Sequence, residues 1–115
     1  MERINDAQLF ELFLKTLDCC GMFLLKCDSQ DIDYYLFEEF DSDSTSFLHE
    51  KSLNRLLASR CISVEVSSLC HSLYEKFRKM EGTDLWNSDA VKTNPEWHTI
   101  LSLADEIRRS IRNNK

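Results

Sequence analysis

DSQDIDYYLFEEFDSDSTSFLHE, residues Asp28–Glu50, is the stretch on which the reading of this chain turns. It holds eight carboxylates (Asp28, Asp31, Asp33, Glu38, Glu39, Asp41, Asp43 and Glu50) and no Lys or Arg. The chain has 20 acids and 14 bases; removing these eight leaves 12 acids against 14 bases, so the whole net charge of −6 originates here. Yet the segment is not merely polar. At 100° per residue Ile32, Tyr35, Leu36, Phe37 and Phe40 share one broad face, which predicts a helix from about Ser29 to Phe40 with Asp28 as its cap. Asp31, Tyr34, Glu38 and Asp41 fall opposite, with Asp33 and Glu39 on the margins. Asp31 and Asp33 suit the positive helix N-terminus; Glu38, Glu39 and Asp41 crowd the unfavourable end of the dipole and repel one another. Ser42–Ser46, SDSTS, is the only polar low-complexity stretch and reads as a loop.

Working outward, Asn5 with Gln8 three residues on forms a capping-box start. Leu9, Phe10, Phe13, Leu14, Leu17, Cys20 and Leu24 then keep helical spacing. Gly21 costs that helix about 1 kcal/mol relative to alanine, which points to a close helix contact or a kink there. After the acidic segment a third helix is expected over Phe47–Ser59, drawn inward by Leu48, Leu53, Leu56 and Leu57. Cys61–Val66 alternates like a strand but has no strand to pair with, so Ser63 is read as an N-cap. Val66, Leu69, Cys70, Leu73, Phe77 and Met80 mark a fourth helix that ends on Lys76, Arg78, Lys79 and a Gly82 cap. Thr83–Thr93 reads as an irregular connector. Asn94, Pro95 and Glu96 then open the last helix, whose stripe is Trp97, Ile100, Leu101, Ala104, Ile107 and Ile111. The expected fold is all-α, a single-domain bundle of about five helices.

Composition narrows the function classes. A chain of 115 residues forms one core without disulfide staples, and 43% hydrophobic content argues against disorder. An acidic chain repels phosphate backbones, so nucleic acid is not the expected ligand. Five cysteines (Cys19, Cys20, Cys27, Cys61, Cys70) without a CxxC pair suit a reducing, cytoplasmic setting. The N-terminus carries Glu2, Asp6 and Glu11 where a secretory signal needs basic and apolar runs. No apolar run reaches the ~18 residues of a membrane span.

No catalytic apparatus is legible. Cys19 and Cys20 diverge by about 100° on a helix and cannot chelate one metal together, and cysteines of this kind belong in a core. His49, His71 and His98 fall in no HExxH motif, and His71 with Glu75 at i+4 reads as a surface pair. Asp41–Ser44 lacks the glycine and closing glutamate of an EF-hand loop. Neither cofactor nor metal is expected, and the chain reads as non-enzymatic. Tyr34 among the acids tips the balance toward a partner patch, because aromatic residues anchor interfaces and acids speed capture of a basic partner. The candidate contacts are Asp31, Asp33, Tyr34, Glu38, Glu39, Asp41 and Asp43. Trp97 is expected to pack inward beside Ile100 and Leu101, while Trp86 is left open as a second anchor.

Trp86–Asn87 in the connector, then Asn94-Pro95-Glu96-Trp97 and the helix to Ile111, resemble the closing segments of small bacterial immunity proteins. Those proteins guard against toxins of contact-dependent growth inhibition and of related polymorphic or colicin-type systems. The resemblance covers about 30 of the 115 residues. It implies a cytoplasmic protein–protein inhibitor that neutralises a cognate basic nuclease toxin in a 1:1 complex by covering its active-site or substrate-binding surface. No contact residue is carried over from it. The alternative is an acidic regulatory or assembly subunit that binds elsewhere, through Trp86 for instance.

Overall fold

The computed structural model describes residues 4–113. Asn5 starts α1 (Asp6–Asp18) as its sequence predicts. Asn5 Oδ1 accepts from the Gln8 N–H at 2.8 Å, and Gln8 Oε1 accepts from the Asn5 N–H at 2.9 Å. The continuation expected through Leu24 does not occur. α1 stops at Asp18, and beyond Gly21 the chain resumes as a short 3-10 helix, Met22–Lys26. The cause lies far along the chain. The Arg108 guanidinium donates to the carbonyls of Leu17 and Cys20, satisfying acceptors that a longer helix would have used itself. A Cβ on residue 21 would sit 2.6 Å from Asp105 Oδ1 and closer still to Arg108 Nη2, so the close contact expected at Gly21 is real.

Asp28 caps the next helix, its Oδ1 accepting from the Asp31 N–H at 2.9 Å. Helical backbone then runs unbroken through α2 (Ser29–Ile32), a π-helical segment (Asp33–Phe40) and α3 (Asp41–Phe47). The loop expected at Ser42–Ser46 is therefore helix. Its inward row repeats every four residues: Ile32, Leu36, Phe40 and Ser44 are all 0% exposed, and Leu48 follows at 1%. An α-helix of about 3.6 residues per turn rotates such a row steadily away from the core. The wider π-turns, closed by i→i+5 bonds, rotate it back. Ser44 fits the row because its hydroxyl donates to the Asp41 carbonyl, leaving no bare polar group in the core. Local composition favoured a loop; packing against α1 overrides it.

α4 (Glu50–Ala58) begins later than expected because His49 serves as its cap, Nδ1 accepting from the Lys51 N–H at 3.1 Å. Ser63 caps α5 (Val64–Met80), with Oγ accepting from the Val66 N–H at 3.1 Å, and Gly82 leaves that helix at φ 79°. The connector expected to be irregular contains α6 (Ser88–Thr93), which Asn87 caps through the Ala90 N–H. Asn94 Oδ1 accepts from the Glu96 N–H at 2.8 Å and α7 runs Pro95–Asn113. The fold is all-α, with five α-helices of seven or more residues among the described residues; the second expected helix, Ser29–Phe40, is α2 together with the π-helical segment, and α3 stands where a loop was expected.

The two longest helices, α5 and α7, pack on each other, while α1 lies against α3 and α4. The buried apolar side chains form one cluster. Its densest part is aromatic. Phe40 meets Phe77 edge-on at 4.8 Å, and Trp97, fully buried, lies 5.9 Å from Phe77. Trp97 Nε1 donates to the Leu85 carbonyl at 2.6 Å, which satisfies its one polar atom. Trp86 packs into the same cluster, 4.8 Å from Phe37 and 5.0 Å from Phe77. It is part of the core wall. Cys20 and Cys70 are buried, and desolvation pushes the Cys70 thiol up to about 12.

Candidate partner-binding face

The continuous helix from Ser29 to Phe47 carries all seven candidate residues, but not on one face. Asp31, Glu39 and Asp43 each precede a buried position (Ile32, Phe40, Ser44) by one residue; Asp33 and Asp41 each follow one. Glu38 and Tyr34 lie between, both exposed. The acids are thus spread around the solvent side of the helix, some leaning toward α1 and others toward α5. They are also not crowded at an unfavourable terminus, because the helix continues past them to Phe47.

Asp41 is the one that departs from the expected patch. Its Oδ1 lies 2.5 Å from Arg78 Nη2, the same nitrogen donates to the Asp41 carbonyl at 3.0 Å, and Glu81 holds the other arm of the guanidinium at 3.2 Å. Arg78 also stacks over Phe77 at 5.0 Å and Tyr74 at 5.4 Å. Asp41 therefore ties the acidic helix to α5 rather than presenting charge outward. Among the described residues none of the other seven carboxylates of Asp28–Glu50 forms an ion pair.

Their field shows in the titration of their neighbours. Burial, then the Glu39 carboxylate, raises the Asp43 pKa above its ordinary range, with Lys15 opposing. Burial raises the Cys19 thiol, and Glu39, Asp43 and Asp18 add to it. Tyr34 is raised by the Glu39 carboxylate, as hydrogen-bond acceptor first and as charge second. Tyr34 and Glu39 are five residues apart, the i→i+5 step of a π-turn, so the unusual backbone helps bring phenol and carboxylate together. Asp18 and Lys15 of α1 thereby join this neighbourhood, and the sequence reading had assigned neither.

Phe23 and Tyr35 are the larger omission. Phe23, Tyr34 and Tyr35 are 40%, 50% and 37% exposed, and together with Val64 they are the large apolar side chains left in solvent among the described residues. They form one row: Phe23 meets Tyr35 edge-on at 5.8 Å, and Tyr35 meets Tyr34 at 5.3 Å. The sequence reading put Tyr35 on the inner face because a strict 100° step places it beside Leu36. A π-turn rotates less per residue and leaves it at the edge. Phe23 lies in the 3-10 turn beyond the Gly21 break, which interrupts the helical stripe expected through Leu24. Three adjoining exposed rings amid unpaired carboxylates suit contact with a cationic, partly apolar surface.

The histidines serve elsewhere: His49 caps α4, His98 Nε2 lies 3.0 Å from the Lys92 carbonyl, and His71 is exposed on α5. Among the described residues no three His, Cys, Asp or Glu side chains are grouped to hold a metal ion, and no helix is long and apolar enough to cross a membrane. Comparison with protein-family models, curated proteins and solved structures returns no match.

Proposed function

We propose that the protein is a non-enzymatic inhibitor of the immunity type, which binds a basic nuclease toxin in the cytoplasm and covers its substrate-binding surface. One observation carries this reading: a single helix bears five carboxylates, Asp31, Asp33, Glu38, Glu39 and Asp43, that pair with no Lys or Arg among the described residues, beside three exposed aromatic rings. A face kept only for solubility commonly alternates acids with bases at i+4 spacing, which relieves repulsion; this one does not. Nucleases are cationic where they grip a polyanion. Asp31, Asp33, Glu38, Glu39 and Asp43 would occupy that surface as the phosphates do, with Tyr34 and its ring neighbours as the desolvated centre. Inhibition is steric and electrostatic, one to one, without turnover or cofactor. Asp41 supports the face by fixing it to α5. The reading as an acidic regulatory or assembly subunit that binds elsewhere loses Trp86 as an anchor, since that ring packs in the aromatic cluster.

The test is association with a basic nuclease toxin, with any toxin gene adjoining this one supplying the first candidate, followed by stopped flow across a salt series. Replacing Asp31, Glu38 and Glu39 by Asn or Gln should slow association about tenfold at low ionic strength and flatten its salt dependence. Unchanged rates in that triple variant would remove the electrostatic basis of the proposal.

A further inference from the structure

Outside the acidic segment, with no residue of Asp28–Glu50 in its lining, lies a recess of about 480 Å³ lined by Phe10, Leu57, Ile62, Val64 and Ile111, with Arg60 at its wall. No Asp or Glu lines it, which is unusual in a chain of net charge −6. Its volume falls in the range of small-molecule sites. Val64 is 75% exposed although it stands at the start of α5 among apolar neighbours.

Arg60 is the informative residue. It leaves α4 at φ 65°, and its N–H bonds to the Leu57 carbonyl at 3.0 Å while the Cys61 N–H bonds to that of Leu56 at 2.9 Å. This is the Schellman ending, whose left-handed position glycine fills without strain. Arginine there gives up that ease, and its guanidinium has no ion pair or side-chain hydrogen bond among the described residues. A strained residue beside a cavity is grounds for a functional hypothesis.

We propose that this recess binds a small amphiphilic carboxylate, with an aliphatic chain laid on Phe10, Leu57, Ile62, Val64 and Ile111 and the carboxylate held by Arg60. One unpaired cation at the wall of a hollow whose remaining lining is apolar apart from Cys61 and Ser63 matches one anionic head on an apolar tail. The site is separate from the acidic face and does not depend on its function.

The test uses the full chain, 15N-labelled, titrated with sodium dodecanoate and with dodecyltrimethylammonium, each below its micelle concentration. Long-range electrostatics favour the cation on this acidic protein, so the proposal predicts the opposite of the bulk charge at this one place. Dodecanoate should shift amides of residues 60–66 and 111 and bind there at least tenfold more tightly than the ammonium. Arg60→Gly relieves the backbone and keeps the fold, so it should raise the melting temperature while abolishing the preference. Arg60→Lys should retain most of it. The proposal is overturned if dodecanoate shifts no residue of the recess, or if Arg60→Gly binds it as well as the native protein. It is equally overturned if a Leu/Glu amphipathic peptide perturbs the recess while dodecanoate does not, for the occupant would then be a protein segment.

Discussion

Gly21→Ala tests how the two ends of the chain are joined. The backbone at Gly21 is extended, which alanine adopts, so the substitution taken alone would stabilise by about 0.4–1 kcal/mol through the unfolded chain. The space decides otherwise. The new methyl group would sit 2.6 Å from Asp105 Oδ1 and nearer to Arg108 Nη2. Neither side chain is free to swing away: Arg108 holds the Leu17 and Cys20 carbonyls, and Asp105 Oδ2 accepts from the Met22 N–H at 3.3 Å. A charge-assisted hydrogen bond contributes about 1.5–3 kcal/mol. Losing one in full and weakening a second outweighs the entropic gain, for a net cost of about 2 kcal/mol. For a domain of this size that lowers the melting temperature by about 8 °C. Urea denaturation gives the free energy, and a double-mutant cycle with Arg108→Ala gives the cause, because the nearer of the two clashes vanishes once the guanidinium is absent while that with Asp105 remains. Additive effects of the two substitutions, or a cost below about 0.5 kcal/mol for Gly21→Ala, would refute the account.

Asp43→Asn should stabilise the protein at pH 7 and do nothing below pH 3.8, the ordinary carboxyl value. Its pKa is raised in the fold, so the stability this group contributes is fullest at low pH and is lost as pH rises through the folded value. Thermal melts at pH 3.5 and 7 check it; an equal gain at both would refute it. Arg78→Met should cost about 2 kcal/mol by leaving the partly buried Asp41 carboxylate unpaired, and Asp41→Asn in the same chain should recover part of it. Gly82→Ala and Arg60→Gly should shift the urea midpoint in opposite directions by about 1 kcal/mol each, because both positions have positive φ and only one holds glycine. Asn94→Ala removes the cap that bonds the Glu96 N–H and should cost about 1 kcal/mol.

If the acidic face binds a toxin, the same charges that speed capture destabilise the free protein. Asp43 shows that conflict most directly, since its carboxyl is held above the ordinary range by its burial and by Glu39. Asp43→Asn should then gain stability and lose association rate together, a trade-off expected where function needs an unfavourable arrangement.

The amino-acid order alone determined the helical class and the caps at Asn5, Asp28, Ser63 and Asn94. Each of these caps is a bond between groups two or three residues apart, so local chemistry is enough to read it. It also determined the inward placing of Trp97 and the concentration of charge in Asp28–Glu50. Tertiary structure decided where α1 ends, that SDSTS is helix, that Asp41 is tied down, that Trp86 is packed, and that Phe23 and Tyr35 reach the surface. The partners that settle the first and third lie 37 to 91 residues away, and the π-turns that bring Tyr35 to the surface alter the angular step on which any face assignment depends. Spacing reads a helix whose pitch is known; only packing sets the pitch.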